Sequence, residues 1–146
     1  MCLTTTMICP IKARKDIVCY KEFIPIRYEK FNKNPKKLMT PIIGTTIENP
    51  CYIEKPILMD DSSKTCKWKT DVLSKYENGI WKKIVSVRRI IEGGMIHAHQ
   101  HKSIAIKACG YNGRIYKCII PKGTLYFKGI NNDICAKQML VVERCT

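Results

Sequence analysis

Two apolar, β-branched and aromatic runs, Arg114–Ile120 and Thr124–Lys128, stand on either side of Pro121-Lys122-Gly123. Strand formers flanking turn chemistry constrain this chain more tightly than any other feature, and they read as a β-hairpin. Gln138–Glu143 supplies a third run behind them, and Met95–His99 a short one in front, after Gly93-Gly94. A chain whose last third is written this way folds around a sheet.

Upstream, the pattern is less even. Residues 1–15 read as a loosely held leader, with Met7 a second candidate start. Asp16–Lys21 puts Val18 and Tyr20 on one face and Ile17 and Cys19 on the other, the two-sided apolar pattern of a central strand. Phe23–Tyr28 extends or pairs with it, although Pro25 demotes that piece to an edge or a bend. Lys30–Lys37 is a basic, turn-rich connection, and Pro41–Ile47 a short strand interrupted at Gly44. From Glu48 to Thr65 the signals conflict, with Asp60-Asp61-Ser62-Ser63 marking a loop. Within Lys64–Tyr76, the four-residue spacing of Trp68, Val72 and Tyr76 suggests a short amphipathic helix. Ile80–Ile91 is the longest β-patterned run. Trp81, Val85, Val87 and Ile91 share one face with Lys83 and Arg89, while Lys82, Ile84, Ser86, Arg88 and Ile90 share the other. Cations on both faces suit a sheet with one wet side. Lys102–Cys109 reads as one or two helical turns ending at Gly110. The expected fold is a single α+β domain over residues 16–146, β-dominated, with about seven mostly antiparallel strands and one or two short helices.

Charge bears on partners rather than on fold. Against 26 Lys+Arg stand 12 Asp+Glu, a formal net charge of +14. Such self-repulsion is tolerated, and encounter is accelerated, when the partner is an anion. The plainer alternative is a compositional bias toward Lys, Ile and Asn. The basic middle, about residues 30–90, reads as a lid, an oligomer contact or a long surface loop. Nine cysteines occur without a CxxC or CxxH pair, which argues against a zinc module. The N-terminus lacks a basic region followed by an apolar core, so no secretory signal is read and the thiols are expected to be reduced. Cys19 and Cys118 lie in apolar runs, where a thiol packs as a small hydrophobe. No apolar stretch approaches the roughly 20 residues needed to span a bilayer. A cytoplasmic protein without a membrane partner is expected.

Catalytic constellations are missing. His97, His99 and His101 alternate, which on a strand aligns three imidazoles on one face, but no carboxylate stands nearby except Glu92. They read as contacts to an anion or as a polar strand edge, and no metal or cofactor is assigned. Nine cysteines and three histidines make chance pairing inevitable, so a nucleophile–base reading carries little. The chain has neither a Walker-type phosphate loop nor GxGxxG, and no enzymatic activity is expected. Basic residues beside aromatics say more: Lys67-Trp68-Lys69, Trp81-Lys82-Lys83, Arg114-Ile115-Tyr116-Lys117 and Tyr126-Phe127-Lys128. Cations hold phosphates and aromatic faces stack on bases. The alternative is that the rings are core and the lysines flank them as solvated edges.

Three blocks resemble a family of uncharacterised small proteins from phages and mobile elements of gut Bacteroidetes. They are KDIVCYK near the start, Gly94-Met95-Ile96-His97 with the Ala-containing segment after it, and KCIIPKGTLYFKG with the closing KQMLVVE. Together they span about half the chain. A second, weaker resemblance, to ADP-ribosyltransferase-like folds, rests on the histidine-bearing strand and the Ile120-Pro121-Lys122-Gly123 hairpin. That family's catalysis needs a glutamate near the end of the core. Here the matching region reads Asp133-Ile134-Cys135-Ala136-Lys137-Gln138, so the resemblance implies a nucleotide-shaped pocket without transferase activity. Phage-type origin and positive charge together suggest a sponge in the host cytoplasm that captures an anionic, nucleotide-derived small molecule, such as a cyclic nucleotide or ADP-ribose derivative used in defence signalling. Arg88, Arg89, His97, His99, Lys102 and Lys122 are the expected phosphate contacts, with Trp81 and Tyr126 for stacking. Nucleic-acid binding and inhibition of an acidic host protein are the alternatives, and homo-oligomerisation is left open.

Overall fold

A computed structural model describes residues 2–23, 56–110 and 113–146. They contain eleven strands and one helix. β1 (Leu3–Thr5), β5 (Lys67–Glu77) and β6 (Ile80–Gly93) form a sheet in the order β1-β6-β5. The other strands are β2 (Ile11–Lys12), β3 (Ile17–Phe23), β4 (Ile57–Asp60), β7 (Ile96–His99), β8 (Arg114–Ile120), β9 (Leu125–Lys128), β10 (Asp133–Ala136) and β11 (Gln138–Arg144). They run β2-β9-β10-β7-β3-β8-β11-β4, with every described pairing antiparallel. Helix α1 (Lys102–Ala108) packs on β3, β7 and β8 through buried Ala105. The β-dominated class is as expected, with more strands than the sequence pattern separates. Among the described residues, no helix is long and apolar enough to cross a membrane.

β3 is central in its sheet, as expected, although Val18 on one of its two apolar faces is 43% exposed. It lies between β7 and β8, in register with β8 from Ile17↔Ile120 to Phe23↔Arg114. Cys19 and Cys118 are direct cross-strand partners, and both are fully buried. Burial pushes the Cys19 thiol far above its ordinary range and Cys118 up to about 12. Both stay protonated and pack as small hydrophobes. The eight described cysteines are all free thiols. Every strand of the larger sheet except β2 contributes to one core, with Phe23, Ile96, Tyr116, Ile120, Ile134 and Met139 among its members.

Because side chains alternate across a strand, Phe127 and Cys135 point to the opposite face from Tyr126, Ile134 and Ala136. There they join Leu3, Ile91 and Met95 in a second core between the two sheets. Leu3 and Ile91 are also register partners on β1 and β6 and have no exposed surface. Burying each is worth roughly 1.5–3 kcal/mol, which seats the smaller sheet on the larger.

Several expectations change. β8 and β9 do not form a hairpin: β8 pairs with β3 and β11, and β9 with β10 and β2. A strand has two edges, and both edges of β8 are taken. Pro121–Gly123 is a corner instead, with Thr124 N donating to Pro121 O at 3.1 Å, Gly123 N to Ala13 O at 2.8 Å, and Gly123 at φ 88°. The first fifteen residues are no loose leader, since they carry β1 and β2, and Thr5 Oγ1 donates to Lys128 O at 2.8 Å. Lys64–Tyr76 holds strand β5 rather than a helix. Spacing by four satisfies a two-residue period as well as a helical one, and the strand won. Within Glu48–Thr65, strand β4 precedes the expected loop, where Ser62 N donates to Asp60 Oδ1 at 2.7 Å. Lys30–Lys37, Pro41–Ile47 and the end of Phe23–Tyr28 lie outside the described residues.

Candidate functional site

Strands β5 and β6 make a two-stranded arm that continues past the point where β1 stops supporting it. Tyr76↔Trp81 and Glu77↔Ile80 close on Asn78-Gly79, whose φ values of 52° and 78° are those of the two-residue turn that suits strand twist. Pairing runs back to Lys67↔Gly93, with irregularities between Lys67 and Trp68 and between Thr70 and Val72. At the second, Ser86 Oγ accepts from Arg88 N at 3.1 Å. β1 covers β6 only at Arg89, Ile90 and Ile91. Eleven strand residues at about 3.3 Å each give an arm about 36 Å long.

The arm's root is tied down. Lys69 Nζ meets Glu92 Oε1 at 2.9 Å, and that hydrogen bond and charge hold the ammonium's pKa above its ordinary value. Lys137, between β10 and β11, donates to Gly94 O at 2.6 Å, to Asp61 O at 3.5 Å and to Lys64 O. One ammonium therefore clamps the chain just before β5 and just after β6.

Beyond the root, both faces of the arm are exposed. Of the fifteen exposed large hydrophobics among the described residues, nine lie on it, from Ile84 at 45% to Val87 at 89%. Such concentration exceeds the scattered apolar surface of an ordinary monomer, which makes the arm the candidate site. One face carries Trp68, Val72, Tyr76, Trp81 and Val85 with Lys83 and Arg89. The rings pair up: the Arg89 guanidinium lies 4.1 Å from the Trp68 centroid, and Tyr76 and Trp81 are 5.2 Å apart at 58°. The other face carries Lys69, Leu73, Lys75, Lys82 and Ile84. From Ile80 to Ile91, β6 holds four cations (Lys82, Lys83, Arg88 and Arg89) and no acid.

The eight sequence-predicted contacts do not line one pocket. Trp81, 70% exposed and paired with Tyr76, and Arg88 are exposed on the arm, whereas Arg89 is held by Trp68 and donates from Nη1 to Ile8 O at 2.6 Å. His97 and His99 are buried in β7. His97 Nδ1 is 3.2 Å from Met95 O and Nε2 3.4 Å from Ile91 O, and burial lowers its pKa. His99 Nδ1 is 3.3 Å from Asp133 Oδ1 on the paired strand, outside hydrogen-bond geometry. Both imidazoles therefore lie within the sheet with little accessible surface. His101 is exposed, because β7 has ended before it. Lys102 is exposed at the start of α1, and half-buried Tyr126 packs against the main core. Lys122 is exposed at the corner, beside an open cleft of about 450 Å³ that Lys12, Thr124 and Gln138 also line.

The sequence pointed to the arm's cations and rings through Lys67-Trp68-Lys69 and Trp81-Lys82-Lys83, but not to Tyr76 as the partner of Trp81. Nothing local announced the Lys137 clamp, which joins residues distant in sequence. No family model, no curated protein and no solved structure matches the chain.

Proposed function

We propose that the protein binds single-stranded nucleic acid along the β5–β6 arm. The observation that carries this reading is the exposed stripe of aromatic rings on a strand pair rich in cations. Bases of any sequence stack on such rings while Lys and Arg follow the phosphates. A duplex offers its phosphates but keeps its bases stacked inside, so single strands are preferred. A small nucleotide-derived ligand needs convergent contacts, and the residues expected to bind one are spread over the arm, the core, α1 and the corner. The cleft at Lys12 and Lys122 has the volume of a small-ligand pocket and favours that second reading. However, carboxylates stand at its rim: Asp16 Oδ1 accepts from Lys122 N at 2.8 Å, and Asp60 Oδ2 accepts from Gln138 Nε2 at 3.3 Å. The arm is the stronger anion site.

Titration of a labelled oligonucleotide by fluorescence anisotropy tests this. If about four phosphates are neutralised, the slope of log affinity on log salt is roughly −3, and affinity falls roughly 60-fold between about 50 and 200 mM salt. Removing two cations together, Lys82→Ala with Lys83→Ala, flattens the slope by about 1.4. Trp81→Ala weakens binding by about 1–3 kcal/mol. Salt-insensitive binding, or arm variants that bind as the parent does, would refute the assignment. A bound nucleotide released on denaturation, and lost in Lys122→Ala, would favour the cleft.

A further inference from the structure

Among the described residues, β5 is an edge strand over all eleven of its residues, and the distal arm has two strands. Two strands alone are marginal in water, and a long apolar edge is a template for another strand. What fits that edge can be read from its hydrogen-bonding phase and its charges. In a two-residue hairpin the closing pair, here Glu77↔Ile80, exchanges hydrogen bonds with each other. Backbone groups therefore alternate along β5, and those of Thr70, Val72, Ser74 and Tyr76 point outward to the free edge. An incoming antiparallel strand must pair with those positions.

We infer that this edge pairs with β5 of a second copy of the chain, antiparallel across a two-fold axis centred on Leu73. In that register the hydrogen-bonding pairs are Val72 with the partner's Ser74 and Thr70 with the partner's Tyr76. On the other face Leu73 meets the partner's Leu73, Asp71 meets the partner's Lys75, and Glu77 meets the partner's Lys69. Each charged pair occurs twice by symmetry. The neighbouring registers allowed by the backbone are less favourable. Centring on Val72 sets Lys69 against the partner's Lys75, offset only by Lys67 against the partner's Glu77 at the strand ends, and centring on Ser74 sets Asp71 against the partner's Glu77. Lys69 already meets Glu92 at 2.9 Å and becomes the centre of a three-charge cluster. β6 offers no equivalent edge, because its cations between Ile80 and Ile91 are unrelieved by any acid. The result is a four-stranded sheet that buries half-exposed Leu73 at the axis and leaves the aromatic face open.

The test is sedimentation velocity on the full chain, stripped of nucleic acid at high salt, over a range of protein concentrations. A concentration-dependent dimer is expected. Asp71→Lys alone and Lys75→Asp alone each weaken it about tenfold, since the two-fold axis counts each like-charge contact twice. Combining the two restores complementarity and returns the dimer to within about threefold of the parent. Leu73→Cys adds a geometric readout. At a non-hydrogen-bonded pair the Cα atoms lie about 4.5 Å apart, so oxidation links position 73 to position 73, located by peptide mapping. A monomer at every concentration, single variants that associate as the parent does, or a double variant no tighter than the singles overturns the inference. A link from position 73 of Leu73→Cys to any other position does so too.

Discussion

At the residue scale, burial decides what the chemically suggestive side chains do. His97 faces Cys135 across the β7–β10 pair and sits between the carbonyls of Met95 and Ile91, with the Lys21 ammonium bonded to its own carbonyl at 2.7 Å. Those two carbonyls and the ring's burial pull in opposite directions, and burial wins, lowering the pKa from the ordinary 6.5. The unfolded chain then takes up a proton near 6.5 while the folded chain does so only at lower pH. Stability is therefore fully present above that value and lost as pH falls below it. Urea midpoints at neutral pH and about one unit below 6.5 should show this loss, and His97→Gln should shrink it, because acid-sensitive groups elsewhere cancel in the comparison. An unchanged difference would place the acid sensitivity elsewhere. The sequence displayed the alternation of His97, His99 and His101 but not which neighbours would bury two of them. That depends on β10 and β6, which are remote in the chain.

At the scale of elements, local chemistry was legible and partner choice was not. β3, β6, β7 and β11 begin and end close to where apolar alternation and glycines place them. The Pro121–Gly123 turn is also real, yet the strands it joins belong to different neighbours, since β3 and β11 occupy β8 first. Two glycines at the ends of β6 show how unequal similar signals are. Gly79 and Gly94 both have positive φ, 78° and 76°. A methyl group at Gly79 would meet only Tyr76 Oη at 3.9 Å, so Gly79→Ala should cost only the left-handed backbone penalty, about 1–2 kcal/mol. At Gly94 it would stand 2.1 Å from Thr65 O, inside the root that Lys137 clamps. Gly94→Ala should cost several times more, read as a larger drop in urea midpoint, with faster amide exchange at residues 64–67. Equal effects at the two positions would mean the root is softer than its contacts imply.

At the scale of the whole molecule, stability and binding are separable. Neither core contains a residue between 67 and 90: the smaller one reaches the arm only through Ile91, with Cys66 packed beside it. The arm's apolar side chains therefore lie outside the packing that holds the fold, while its cations add to the self-repulsion of a chain carrying +14. Deleting residues 72–85 and closing the ribbon with Asn-Gly should leave a folded protein. The excision removes Val72, Leu73, Tyr76, Ile80, Trp81, Ile84 and Val85, all of them exposed, together with Lys75, Lys82, Lys83 and Glu77. Thermal unfolding should remain cooperative, with a midpoint within about 5 °C of the parent, because less than about 1 kcal/mol of packed contact is lost. The same protein should neither bind oligonucleotides nor self-associate, since the base platform and the Leu73 edge have gone together. If the shortened chain does not fold, the arm is part of the scaffold. If it folds and still binds nucleic acid with unchanged salt dependence, the anion site lies on the body, and the Lys12–Lys122 cleft becomes the place to look.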